Sequence, residues 1–200
     1  MIKRFEVIII GAGAAGMLCA IEAGKRGKKV LIIDHSKKIG EKIRISGGGR
    51  CNFTNINTNP SKFISSNPNF CISALKQYTQ NDFINLVKKY DIKFHEKKLG
   101  QLFCDNSSQQ IIDMLLEECK SANVILKSET SILSVNKIEN KYFIKTNLED
   151  YVCDSLVIAS GGLSIPKIGA TNFGYQIAKQ FNINVIEQNP GLVPLTFQDI

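Results

Sequence analysis

The residues most able to do chemistry come at the very start of this 200-residue chain, where Gly11-Ala12-Gly13-Ala14-Ala15-Gly16 forms a complete GxGxxG. Each glycine has its own physical reason. Gly11 permits a tight turn, Gly13 lets backbone approach a pyrophosphate, and Gly16 lets a helix lie close to a strand. A helix opening at Ala14 and Ala15 then turns its free N–H groups toward an anion. Asp34 follows twenty-three residues after Gly11, where a carboxylate can accept hydrogen bonds from ribose hydroxyls and would repel a 2′-phosphate. His35 reads as a neighbour of the adenosine rather than as a base. The alternatives are a packing turn at the glycines and a simple turn cap at Asp34.

The GxGxxG serves nicotinamide and flavin dinucleotides alike, so the choice falls to a second motif, Gly40-Glu41-Lys42-Ile43-Arg44-Ile45-Ser46-Gly47-Gly48-Gly49-Arg50-Cys51-Asn52. Gly47, Gly48 and Gly49 between Ser46 and Arg50 offer backbone that can lie against a flat ring and phosphates. The Arg50 guanidinium is suited to neutralising a pyrophosphate.

The elements that must position these residues can be read from hydrophobic period. Phe5 to Ile10 is a short β-branched run suited to a buried parallel strand, and Ala14 to Lys25 is helix-forming with Met17, Ala20 and Ile21 on one apolar side. Val30 to Ile33 completes a βαβ unit that ends at Asp34. Further on, Thr79 and Asp82 predict a capping box opening a helix through Tyr90. Ser107 or Ser108 opens another helix, with Ile111, Ile112, Leu115, Leu116 and Cys119 along one side. Strand-like runs at Val124–Leu126, Ser131–Val135, Lys141–Thr146 and Tyr151–Ala159 predict a β-meander rather than a second βαβ. The last run delivers Ala159-Ser160-Gly161-Gly162 to the carboxyl edge of the sheet.

On GAGAAG, GEKIRISGGGRCNFTN, HEKKLGQLFCD, LVIASGGLSIPKIGATNFGY and PGLVPLTF, the chain resembles a family of NAD(P)/FAD-dependent oxidoreductases. That family includes aminoacetone oxidase-like enzymes and bile-acid dehydro-reductases. The resemblance implies an α/β, Rossmann-like three-layer FAD-binding domain of glutathione-reductase type with a β-meander. It implies FAD held against Gly11, Gly13, Ala14, Ala15, Gly16 and Asp34, then Lys42, Ser46, Gly47, Gly48, Arg50, Cys51 and Asn52, and finally Ala159, Ser160 and Gly161. Ile132 is expected to meet the adenine through its backbone. Ser160 stands where the family carries threonine and keeps the hydroxyl. Residues 1–190 are expected to be the FAD-binding domain, and residues 191–200 the start of a substrate domain absent from this chain.

Composition trims the function classes. The net charge of +7 comes from lysines scattered without a basic block of five, so no nucleic-acid partner is expected. Six cysteines show no CxxC and no zinc-like spacing, which suggests a reducing cytoplasm and no metal. Cys51 is expected to lie under a flavin rather than to act as a redox thiol, and His95 to be a surface or second-domain contact. Four glycines interrupt the apolar run from Val7 to Ile21 and its extension to Gly24, which is too short for a bilayer, so neither a signal peptide nor a membrane partner is expected. The leading reading is a flavoprotein oxidoreductase acting on a small organic substrate, with NAD(P)H as a possible donor. A non-catalytic FAD-binding remnant and a flavin-dependent RNA-modifying enzyme are the alternatives.

Overall fold

The structure, a computed structural model, describes residues 2–165 and 169–191. Of the PGLVPLTF segment, the part from residue 192 onward lies outside the described residues. In chain order the elements are β1 (Lys3–Ile10), α1 (Ala14–Lys25), β2 (Val30–Ile33), α2 (Glu41–Ile45), β3 (Asn52–Asn55), α3 (Ile72–Gln77), α4 (Gln80–Lys89), β4 (Phe94–Glu96) and β5 (Gln101–Cys104). They continue with α5 (Gln109–Ser121), β6 (Ile125–Lys127), β7 (Ile132–Ile138), β8 (Lys141–Thr146), β9 (Tyr151–Ile158) and α6 (Phe173–Gln180).

One six-stranded sheet runs in the order β6-β2-β1-β9-β8-β7. Its first four strands are parallel, with Ile8 of β1 registered between Leu31 of β2 and Leu156 of β9. β8 and β7 complete the sheet antiparallel. Alternation along β1 and β2 feeds two cores. Ile9 and Ile32 pack with Met17, Ala20 and Ile21 of α1 and with Ile111, Ile112 and Leu115 of α5. Ile8, Leu31 and Ile33 pack on the opposite face with Ile144 of β8 and Tyr151 and Cys153 of β9. Strands covered on both faces explain the uninterrupted isoleucine runs. This is a Rossmann-like α/β domain with a mixed sheet.

The structure corrects one element of the sequence reading. Val124–Leu126 does not open the meander, because β6 pairs parallel with β2 at the sheet edge after crossing over through α5. The meander is β7-β8-β9 only, and β9 serves at once as its last strand and as the parallel neighbour of β1. A small antiparallel sheet, β3-β5-β4, stands beside the main one. The capping box is formed, with Asp82 Oδ2 accepting from Thr79 N at 2.7 Å and Thr79 Oγ1 accepting from Asp82 N at 3.3 Å. Ser108 does not cap α5 with its side chain; its buried hydroxyl instead donates to the Arg44 carbonyl at 2.8 Å and fastens α5 to α2.

Candidate functional site

Where β1, β2 and β9 end side by side, their carboxyl edge opens into a cavity of about 710 Å³, within the range of cofactor pockets. The first turn is knitted into this edge by Gly11 N donating to Ile33 O and Ala159 N donating to Ile10 O, both at 2.8 Å. Gly11 has φ +112°, and a Cβ there would stand 2.4 Å from Ala159 O. At Gly16 a Cβ would stand 1.9 Å from Gly11 O, so helix and turn touch backbone to backbone. Gly16 is therefore a packing residue and does not reach the cavity wall. A Cβ on Gly13 would meet nothing within 4 Å. That open space faces the start of α1, where Gly13 caps without any side-chain hydrogen bond and Ala14 and Ala15 line the wall. Free amides at an uncapped helix start are suited to a phosphate.

Asp34 lines the cavity and also ties two loops together. Its Oδ2 accepts from Ala12 N at 2.6 Å and its Oδ1 from Ser36 N at 2.8 Å, with the side chain 14% exposed. The turn-cap alternative and a place on the cavity wall therefore coexist in one carboxylate. His35 and Ile132 lie on the same wall, together with Thr130 and Ser131.

At the far end, Lys42 Nζ donates to Gly162 O at 3.3 Å and reaches across to the loop that carries Ala159, Ser160 and Gly161. Ser46, Cys51 and Asn52 line the same end. The Cys51 backbone has φ +51°, and burial pushes its thiol up, partly offset by the Ser46 hydroxyl. A protonated buried thiol is a poor nucleophile.

Three expected contacts of the second motif do not reach the cavity wall. Gly47 sits against the Phe103 ring, where a Cβ would be 2.6 Å from Cε1, while Gly48 and Arg50 are exposed outside the lining. The physical reason is the turn itself, which places Gly47 and Gly48 in left-handed backbone and directs the chain toward β5.

Sequence reasoning also missed an apolar stretch of wall formed by Leu18, Phe53, Phe83, Ile111 and Leu115, and the polar side chains Thr171, Asn172 and Gln176. Ile111 and Leu115 were legible only as core-facing positions of α5. Ser160 is among the residues lining this wall, while its Oγ is buried on the side of Gly174 without a hydrogen-bond partner among the described residues. With the uncapped helix start and the open space at Gly13, the cavity suits a ligand that carries phosphates and hydrogen-bonding groups.

With this geometry in place, the family is shown by a match of residues 5–196 to the HI0933-like protein Rossmann domain. The chain belongs to this family. A ribosomal RNA dihydrouridine synthase of Escherichia coli (strain K12) is 55% identical over 194 residues, covering 97% of this chain and 48% of that protein. A 3-dehydro-bile acid delta(4,6)-reductase of Clostridium scindens is 24% identical over 190 residues, covering 94% of this chain and 46% of that protein. Among solved structures, glycine oxidase from Geobacillus kaustophilus matches with a TM-score of 0.56 at 14% identity, covering 91% of this chain and 59% of that one, which bears on the fold alone. The chain spans about half the length of the curated relatives it matches.

These similarities overturn the expectation that no nucleic acid is involved, because the relative at 55% identity carries a name that states action on ribosomal RNA. The expectation failed because it rested on linear blocks of charge, which do not register surfaces assembled from separate segments. Among the described residues no helix is long and apolar enough to cross a membrane.

Proposed function

We propose that this chain is the FAD-binding portion of a flavin-dependent enzyme that reduces uridine to dihydrouridine in RNA, with NAD(P)H as electron donor. The observation that carries the reading is the cavity at the carboxyl edge of the parallel strands, in a chain 55% identical to a ribosomal RNA dihydrouridine synthase over nearly its whole length. When bound, FAD reduced by NAD(P)H would supply a hydride for the uracil C5=C6 bond, with the second hydrogen added as a proton drawn from water.

The residues of this chain bind and orient. The α1 start at Gly13, Ala14 and Ala15 holds the pyrophosphate through backbone N–H groups, where the helix dipole favours negative charge. Asp34, already fixed by Ala12 and Ser36, accepts from ribose hydroxyls with its remaining lone pairs. Lys42 places a positive charge beside Gly161 and Gly162. Leu18, Phe53 and Phe83 exclude water from their stretch of wall. The six free thiols suit a reducing cytoplasm.

The test is incubation of the full-length protein with FAD, NADPH and unmodified ribosomal RNA, followed by nucleoside mass spectrometry. A gain of two hydrogens on uridine is expected. Protein that binds FAD and consumes NADPH but leaves uridine unchanged would contradict the RNA reading.

A further inference from the structure

We propose that a second pocket, lined by Asn55, Asn57, Asn59, Lys62, Phe63 and Leu99, holds an unstacked nucleobase of the RNA within about three nucleotides of the target uridine. The proposal rests on the reading of the chain as an RNA-modifying flavoprotein. The pocket measures about 760 Å³ and is built where two segments meet that lie far apart in sequence. Ile56 N donates to Gly100 O at 2.9 Å, and Asn55 Nδ2 and Asn57 Nδ2 both donate to Leu99 O, at 3.0 and 3.4 Å. These bonds hold Leu99 at φ +61°, a conformation leucine rarely adopts, with its side chain 86% exposed. Phe63 beside it is 48% exposed. Two large apolar side chains are thus presented to solvent by anchored backbone, and one of the two positions is strained.

The chemistry around them matches a nucleotide. An aromatic ring and a leucine offer flat apolar contact for a base. Asn57 Oδ1 accepts no hydrogen bond among the described residues, while its amide nitrogen and backbone are engaged, so an oriented acceptor is left for a base edge. Lys62, Lys97 and Lys98 are exposed and form no ion pair among the described residues. Their charge complements a phosphodiester, and beside an aromatic ring and an open amide acceptor it suits a nucleotide.

Position adds to this. β3 contributes Asn52 and Phe53 to the cavity at the strand ends and Asn55 to this pocket. Three residue steps along a strand cover about 10 Å, or about three stacked nucleotide steps of ~3.4 Å. A strand of RNA with its target base at the Asn52 end of the cavity therefore passes the pocket within about three nucleotides of that base, close to the flanking positions from which RNA- and DNA-modifying enzymes take sequence context.

The experiment uses the full-length flavoprotein, a fluorescein-labelled single-stranded RNA containing uridine, and Phe63→Ala, Leu99→Gly and Lys62→Gln variants. Phe63→Ala is expected to weaken RNA binding roughly tenfold, the scale of one lost stacking contact. Leu99→Gly is expected to weaken it as well while leaving flavin content and thermal stability equal or higher, because glycine adopts φ +61° freely. Lys62→Gln is expected to lower the slope of log affinity against log salt by about 0.7, as for one lost phosphate contact on a single strand.

Unchanged affinity in Phe63→Ala and Leu99→Gly, with the parent still converting uridine, would overturn the pocket and leave the proposed function standing. A parent that neither binds nor modifies RNA would overturn both. Protection of Phe63 and Leu99 from hydroxyl-radical labelling in the RNA-free full-length protein would assign this surface to a protein contact and overturn the RNA occupant.

Discussion

Two glycine turns face the same region of this molecule, and they use glycine for different reasons. In the first, between β1 and α1, Gly11 and Gly16 are where they are because any Cβ would meet backbone at 2.4 and 1.9 Å, while Gly13 alone opens onto free space. In the second, between α2 and β3, Gly47 is confined by the Phe103 ring and by Asn52 N, and Gly48 and Gly49 meet nothing within 4 Å but have φ of +66° and +85°. The first turn is thus shaped by packing and the second mostly by backbone conformation. A run of glycines does not announce which of these applies, and neither pattern alone identifies a ligand contact.

The largest expected effect lies in the packed turn. Gly16→Ala forces a methyl group against the Gly11 carbonyl and should destabilise the domain by roughly 3 kcal/mol or more, read as a lower midpoint in urea denaturation. A midpoint equal to the parent's would break the contrast between the turns.

The helix that carries the first turn is clamped at its other end as well. Glu118 of α5, its side chain 3% exposed, accepts from Lys25 of α1 and Lys89 of α4 at 2.7 Å each and from Tyr90 at 2.9 Å. The hydrogen bonds from Lys25 and Lys89 draw its carboxyl down to about 2 from 4.5. Glu118→Gln should cost roughly 1–3 kcal/mol at neutral pH, the scale of hydrogen bonds to a charged group. Because the folded value lies below the unfolded one, this stabilisation is complete above pH 4.5 and is lost as pH falls toward about 2. Parent and variant stabilities measured across that window should converge on acidification, and a constant gap would contradict the clamp.

A smaller effect is expected in the second turn. Gly48→Ala places a methyl group in open space at φ +66°, so only the left-handed backbone is penalised, by roughly 1 kcal/mol. A loss as large as that of Gly16→Ala would show that the second turn is packed after all.

How far the sequence could be read follows the same division. β1, α1, β2 and the capping box at Thr79 were legible because their signals are local: hydrophobic period, glycine spacing, and a hydroxyl three residues before a carboxylate. β6 was not, since three residues of apolar run say nothing about whether their partner is β2 or β7. That partner is set by the crossover through α5. In the candidate site, the segments carrying Asp34, Lys42 and Ala159 were recognisable by motif, whereas Phe53 and Phe83 come from elements whose approach to the cavity depends on the small sheet. Gly47 and Arg50 lie off the cavity wall for the converse reason, as a motif identifies residues without giving the direction of the turn that carries them. The absence of a basic block misled in the same way, because the segments carrying Lys62 and Lys98 are joined only in the fold, through the hydrogen bonds of Asn55, Ile56 and Asn57 to Leu99 and Gly100.

The account turns on Gly13, the one glycine of the first turn that packing leaves free. Titration of FAD into parent and Gly13→Val protein, with circular dichroism of both, tests it directly. A Cβ at Gly13 meets no atom within 4 Å, and a valine there would project into the space that the phosphate reading assigns to the pyrophosphate, so the variant should fold as the parent does and bind no FAD. A folded Gly13→Val protein that takes up FAD with the parent's affinity would contradict the assignment of this cavity edge to the cofactor.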